Sequence, residues 1–407
     1  KMATSMKAMR IFQIRSLFNK SSPISTLFRV DSPVLIHHNS CSTSASVKQD
    51  QTNEGGQKRR GNVKQKIGIS FAGLGLGVLA GAYVNYKLNN GSEVKAQVDR
   101  PYFKPSRSIK NDADHSGLKL TLYQYQTCPF CCKVRAYLDY HGFSYDVIEV
   151  NSVWRTQTKW SKYKKVPVLV CEGKDIDGYV QINDSSVIIS LLESHLFDST
   201  QKVSTLVDYF PVMESKEGRK TILEYPNRYF VMYGVANKDI KSSTDIQRKE
   251  ERKWRRWVDN DLVHVLSPNI YRTASEALRA FKYFDEVGNW EQNFSTFERT
   301  VIMYVGAAAM YLVGKLLKRK YMLKDDVRES LYESCKTWTK AVGNKRKFMG
   351  GDIPNLADIS VYGVLSAIEG CESFQDLLEN SDIRRWYYDM KQTVSSHQGA
   401  NPLNKPN

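Results

Sequence analysis

Three of the chain's seven cysteines crowd into one stretch, Cys128-Pro129-Phe130-Cys131-Cys132, while Cys41, Cys171, Cys335 and Cys371 are scattered. An odd, dispersed set in a chain long enough to fold without staples argues against a disulfide framework. The histidines stand at no zinc-ligand spacing to the cluster, which favours thiol chemistry over a metal site. A Cys-x-x-Cys pair alone is shared with zinc knuckles, so its setting decides. Leu118 to Gln124 alternates apolar and polar β-formers and reads as a strand. Pro129 suits the first turn of a helix, whose buried face is marked by Val134, Tyr137, Leu138 and His141. A cysteine between strand and helix lies where unpaired N–H groups and the positive helix end stabilise a thiolate. Cys128 is therefore the candidate nucleophile, with Cys131 one turn inside to resolve a mixed disulfide. Cys132 points to another side of the helix.

The surrounding elements must position that thiol. A second strand is predicted over Tyr145 to Val150, a polar helix around Trp154 to Tyr163, and a strand at Val168 to Val170 with Pro167 at its mouth, where an edge, a strand start or a cis turn accommodates proline. Gly178 to Ile182 supplies a fourth strand, and Asp184-Ser185 opens an apolar helix from an acceptor-rich cap. The order β-α-β-α-β-β-α is that of an α/β thioredoxin-like domain of glutaredoxin type. From about Arg248 the texture turns helical, with Trp254, Trp257, Val258, Leu262 and Leu266 on one rhythm. Val301 to Leu317, too short between charges to span a bilayer, reads as the buried central helix of an all-α domain. Asn355 caps the helix that follows it, with Asp358 bonding back for a structural purpose. Cys171, Cys335 and Cys371 read as small buried hydrophobes.

The 407 residues and 41% hydrophobic content accommodate two domains plus tails. More than half of the formal charge of +16 lies in residues 1–66, which hold twelve Lys and Arg against three acids. A basic excess confined to a tail without stacking aromatics argues against nucleic acid as a partner. The first thirty residues carry five basic side chains and no acid among Ser, Phe, Ile and Leu once Lys1 is set aside, the composition of a mitochondrial transit peptide; Golgi or another endomembrane is the alternative. Residues 67–86 are uncharged and long enough to cross a bilayer, so the chain reads as a single-pass membrane protein. The Gly73, Gly77, Gly81 spacing within them could seat a second helix in a homodimer. The resulting organisation is a targeting tail (1–66), a transmembrane helix (67–86), a linker (87–117), the thioredoxin-like domain (118–200), a connecting segment (201–247), the helical domain (248–395) and a C-terminal tail (396–407).

Residues from about Leu118 to Glu379 resemble the membrane-associated prostaglandin E synthase type 2 family, a glutaredoxin-like domain fused to a glutathione-transferase-like helical domain. The strings that carry the resemblance are LTLYQYQTCPFCCKVRAYLDYHG, YKKVPVLV, INDSSVIISLLE, WVDNDLVHVLSPNIYRT, VGAAAMYL and FMGGDIPNLADISVYGVL. It implies isomerisation of a lipid endoperoxide, prostaglandin H2, to prostaglandin E2, with glutathione as a cofactor and haem binding supported by glutathione. The essential thiol falls on Cys128, the pocket tyrosine on Tyr125, and Phe130, His264 and Ser267 line the pocket. Val166 and Pro167 are expected to pair with the glutathione backbone, and Asp184 and Ser185 with its γ-glutamyl end. Haem iron would take the Cys128 thiolate. Cys132 departs from the family pattern as an extra thiol. Two other functions fit the same residues: a glutaredoxin-like thiol-disulfide oxidoreductase, and a non-catalytic haem- or glutathione-binding membrane protein.

Overall fold

The computed structural model describes residues 100–174, 176–217, 220–233 and 242–401. The basic tail, the predicted span at 67–86 with its glycine spacing, and the first part of the linker lie outside the described residues. Strands β1 (Arg107–Ile109), β2 (Leu118–Gln124), β3 (Tyr145–Glu149), β4 (Val168–Gly173) and β5 (Val180–Asn183) form one sheet in the order β1-β3-β2-β4-β5. β2 and β3 run parallel and every other neighbouring pair antiparallel. Strand β1 falls within the stretch read as a linker; three residues are too few for alternation to reveal a strand.

Helices α1 (Pro129–Tyr140) and α2 (Ser185–Phe197) share a core with Leu120, Leu122, Val147, Leu169 and Ile182. A separate cluster joins Tyr123, Ile148, Val150, Val168 and Val170 to Trp160, Tyr163 and Tyr179. Apolar side chains on both faces explain why β4 opens on a continuous apolar run. The helix expected around Trp154 to Tyr163 is only a 3₁₀ turn, Thr156–Thr158. Side chains take the backbone groups instead: Asn151 Oδ1 accepts from the N–H of Val153 and of Trp154, each at 3.0 Å, and the Trp160 indole donates to the Gln157 carbonyl at 2.7 Å.

A short helix α3 (Val203–Leu206) and a hairpin of β6 (Met213–Glu217) and β7 (Lys220–Glu224) lead to the helical part. There α4 (Ser242–Trp257) passes through a π-helical turn, Val258–Leu262, into α5 (Val263–Ile270). After these come α6 (Ala274–Val287), α7 (Trp290–Asn293), α8 (Thr296–Lys320), α9 (Val327–Val342), α10 (Leu356–Ser366), α11 (Glu372–Glu379) and α12 (Ile383–Ser395). The rhythm from Trp254 to Leu266 marks buried positions as expected, with Trp254, Val258, Leu262 and Leu266 all inside.

The expectation for Val301 to Leu317 is overturned. In α8 only Ile302, Ala307, Val313, Gly314 and Leu317 are buried, while Phe297, Tyr304, Val305, Leu312 and Leu316 are exposed. It is the one helix among the described residues long and apolar enough to cross a membrane. An all-round apolar composition does not reveal which face is covered. The buried central helix is α10, in which Leu356 through Leu365 are all inside. It packs against α1 so closely that a Cβ at Gly363 would meet the Lys133 Cα at 2.5 Å. Past α12 the chain returns to the far end of α1, where the Gly399 N–H donates to the Tyr140 carbonyl at 3.1 Å and the Asn401 N–H to the His141 carbonyl at 2.8 Å.

Candidate functional site

Register assembles the site. Val168, at the start of β4, is paired with Tyr123 near the end of β2 and with Asn183 at the end of β5. The loop to Cys128, the Val166–Pro167 bond and Asp184 therefore emerge at the same end of the sheet. The Val166–Pro167 bond is cis.

The Cys128 N–H donates to the Tyr125 carbonyl at 3.1 Å, closing the turn, and the Cys128 carbonyl accepts the Cys132 N–H at 2.8 Å, starting α1. Cys128 is the N-cap, with extended backbone and no side-chain bond to the helix N–H groups. Its thiol is half-buried and free. A hydrogen bond from the Cys131 thiol is the largest influence and lowers the Cys128 thiol below its usual range; burial opposes it, and the N–H groups of Cys131 and Phe130 assist. Burial, and then that same bond to Cys128, pushes Cys131 well up. The two thiols thus separate into one poised for ionisation and one kept protonated. Phe130 is half-buried beside the core, its ring 5.5 Å from the Lys133 ammonium.

Tyr125 is pushed up to about 12, chiefly by burial, and so remains a proton donor beside Cys128. Beneath this loop lies Glu149, whose Oε1 accepts the Gln126 N–H at 2.7 Å and whose Oε2 accepts from the Gln124 amide at 3.2 Å. Burial raises its carboxyl to about 7. Sequence reading passed over Glu149, although alternation along β3 places it in line with the buried Tyr145 and Val147.

Asp184 caps α2: its Oδ1 accepts the N–H of Ser186 at 2.9 Å and of Val187 at 3.2 Å, leaving Oδ2 3.6 Å from the Arg228 guanidinium. Its φ of 68° is unusual for a residue with a Cβ, and such conformations concentrate at functional sites. Ser185 is buried in the first turn. These are the groups that a γ-glutamyl head could use: a carboxylate oxygen for its ammonium and a helix start for its carboxylate.

An ion pair joins the thioredoxin-like and helical parts directly behind the site. Lys133 Nζ lies 2.5 Å from Asp259 Oδ1 and donates to Ser186 Oγ at 2.9 Å. The Ser186 hydroxyl and the Tyr229 hydroxyl both donate to Asp259 Oδ2, at 2.7 and 3.1 Å. Burial works against the Asp259 carboxylate, but the Lys133 ammonium and these bonds hold it below the usual range. Asp259 reaches this position from the π-helical turn, a feature frequent near functional sites.

His264 and Ser267 stand on α5. His264 stacks on Tyr321, ring centroids 4.1 Å apart, and burial followed by Lys320 lowers it to about 4, leaving it neutral. Neither residue lines the two cavities found beside the Tyr125–Thr127 loop. Cys132 faces the larger, of about 230 Å³, where Arg135 donates to its sulfur at 3.1 Å. The smaller, of about 30 Å³, lies between Tyr125, Glu149 and the aromatic residues Phe284, Trp290 and Phe294. Neither includes Cys128, and both fall below the roughly 300 Å³ at which ligand pockets usually begin. The residues at this sheet end offer a γ-glutamyl head a carboxylate oxygen and a helix start, and the thiol that haem iron would take is the half-buried Cys128. Cys171, Cys335 and Cys371 are buried, and each is raised to about 12, mainly by burial, as befits inert thiols.

Residues 122–199 match the family model of the glutathione S-transferase N-terminal domain. The chain is 48% identical over 288 residues to prostaglandin E synthase 2 of Danio rerio, covering 70% of this chain and 74% of the relative. To prostaglandin E synthase 2 of Mus musculus it is 42% identical over 337 residues, covering 83% and 84%. Among solved structures, rice GST1 in complex with glutathione aligns at 15% identity with a TM-score of 0.33, covering 69% of this chain and 92% of that chain.

Proposed function

The chain belongs to the prostaglandin E synthase 2 family, and we propose that it isomerises prostaglandin H2 to prostaglandin E2 at the Cys128 thiolate, with glutathione held alongside. The observation that carries this reading is the free, uncapped Cys128 thiol at the start of α1, one turn from Cys131 and closed by a backbone bond onto Tyr125, an arrangement in which the outer thiol is lowered and the inner one raised.

The reaction is redox-neutral. The Cys128 sulfur attacks the peroxide oxygen on the ring carbon destined to be the ketone, and the O–O bond breaks. Tyr125 donates a hydrogen bond to the departing alkoxide, which takes up a proton and becomes the hydroxyl. A base removes hydrogen from the first carbon, its electrons form the carbonyl, and the S–O bond breaks to return the thiolate. Glutathione would be held by Val166 beside cis-Pro167 and by Asp184 and Ser185, and bound there it would wall the thiol from water. Haem has no step in this scheme.

A second reading, glutaredoxin-like thiol-disulfide exchange, is favoured by one observation: Cys131, a free thiol, lies one helical turn inside the free thiol of Cys128. Product analysis of the purified protein, given the endoperoxide and separately a mixed glutathione disulfide, tells them apart. Prostaglandin E2 formed without net thiol oxidation supports isomerisation; turnover of the disulfide alone supports exchange. Residues 67–86 remain the proposed membrane anchor and the basic tail the proposed mitochondrial address. A chain lacking residues 1–87 should leave carbonate-washed membranes, and its retention would place the attachment elsewhere.

A further inference from the structure

Arg228 and Tyr229, which follow β7, are fastened to the helix whose start lies at the proposed glutathione site. The Ser190 hydroxyl on α2 donates to the Arg228 carbonyl at 2.7 Å. Arg255, itself buried, donates to the Tyr229 carbonyl and the Ser186 carbonyl, each at 3.2 Å, and to Ser190 Oγ at 2.7 Å. Tyr229 adds its bond to Asp259. With its backbone held in this way, Arg228 rests its guanidinium 5.0 Å from the Tyr229 ring centroid and remains about one-third exposed.

Arg228 Nη1 stands 3.6 Å from Asp184 Oδ2, the carboxylate oxygen not engaged in capping α2. That separation is an ion pair and exceeds hydrogen-bond distance, so a planar fork of five donors retains capacity for a second carboxylate. An anion and a cation held side by side over a helix start match one chemical group well: an α-amino acid head, whose ammonium and carboxylate share a carbon.

We propose that Arg228 is the specificity-determining clamp for the α-carboxylate of a γ-glutamyl thiol, with Asp184 taking the neighbouring ammonium. The inference rests on the glutathione reading and deepens it. Other thiols of similar size that lack the zwitterionic head would be discriminated against by the guanidinium, not by the region around Cys128.

Calorimetric titration of the full chain tests this with glutathione and with its analogue lacking the α-carboxylate, γ-aminobutyryl-cysteinylglycine. Arg228→Gln is expected to weaken glutathione by roughly tenfold to a hundredfold and to leave the analogue unchanged. Arg228→Lys, which keeps the charge but not the fork, should recover part of the loss. Undiminished glutathione binding in Arg228→Gln, or equal losses for both ligands, would overturn the clamp while leaving the glutathione site standing. Failure of the wild-type chain to bind either ligand would remove the site itself, and the clamp with it.

Discussion

The starts of α1 and α10 face the same physical problem and resolve it in opposite ways. Each presents N–H groups without helical partners. At α10 the side chains take them up: Asn355 Oδ1 accepts from Ala357 and Asp358, and Asp358 accepts the N–H of Asn355, Met349 and Gly350 and the Trp386 indole. At α1 the capping residue is Cys128, whose side chain makes no such bond. One helix start is closed by protein atoms and the other is left for a thiolate. The start of α2 is intermediate, since Asp184 commits one oxygen to the cap and faces Arg228 with the other. Unsatisfied donors at a helix start thus mark where chemistry is retained, and a complete capping box marks where it is given up.

The widest separation is expected from substitution at the two extremes. Cys128→Ser should reduce isomerisation to background with an unchanged melting temperature, whereas Cys131→Ser keeps most of it, because no resolving step is required. Equal losses in both variants would favour disulfide exchange. Asp358→Ala should cost about 4 kcal/mol of stability by orphaning four donors, of which those of Met349 and Trp386 are buried, read as a lower denaturant midpoint with normal turnover per folded molecule. A turnover defect at unchanged stability would erase the contrast between the two helix starts.

Smaller effects should appear between those extremes. Glu149 holds the loop that feeds α1, and its carboxyl is raised from 4.5 to about 7. A raised carboxyl stabilises the fold fully below pH 4.5 and loses that contribution as pH climbs through about 7. Relative to Glu149→Gln, the wild type should therefore lose about 3 kcal/mol across that window, and a constant difference in midpoint would show that the group does not titrate there. At α2, Asp184→Asn preserves a cap but removes a charge. Glutathione affinity should fall by about 2 kcal/mol with little change in melting temperature. A dissociation constant within about twofold of wild type would make α2 a closed start like α10.

Local signals were legible wherever the cause was local. The strand before Cys128, the proline in its first helical turn and the box at Asn355 all depend on residues within a few positions of one another. Lys133 and Asp259 escaped notice because 126 residues separate them and neither is conspicuous alone. Arg228 was hidden for the same reason, within a segment of no obvious periodicity. The reading of α8 failed differently, since hydropathy reports composition and not which neighbours arrive. His264 and Ser267 came from resemblance alone, and the contacts around His264 run to Tyr321 and Lys320.

The return of residues 397–401 to the far end of α1 also bears on how the molecule is made. His141 Nδ1 contacts the Gly399 carbonyl at 2.7 Å across 258 positions of sequence, and Asn401 bonds to both His141 and Asp114. Synthesis proceeds from the N-terminus, so the helix that carries Cys128 leaves the ribosome long before the residues that secure its other end. Until Asn401 is translated, the nascent thioredoxin-like part has its strands and its thiol but lacks this final tether. Ribosome-bound chains ending before residue 397 should consequently show an α1 that exchanges its amide hydrogens faster than in the released protein.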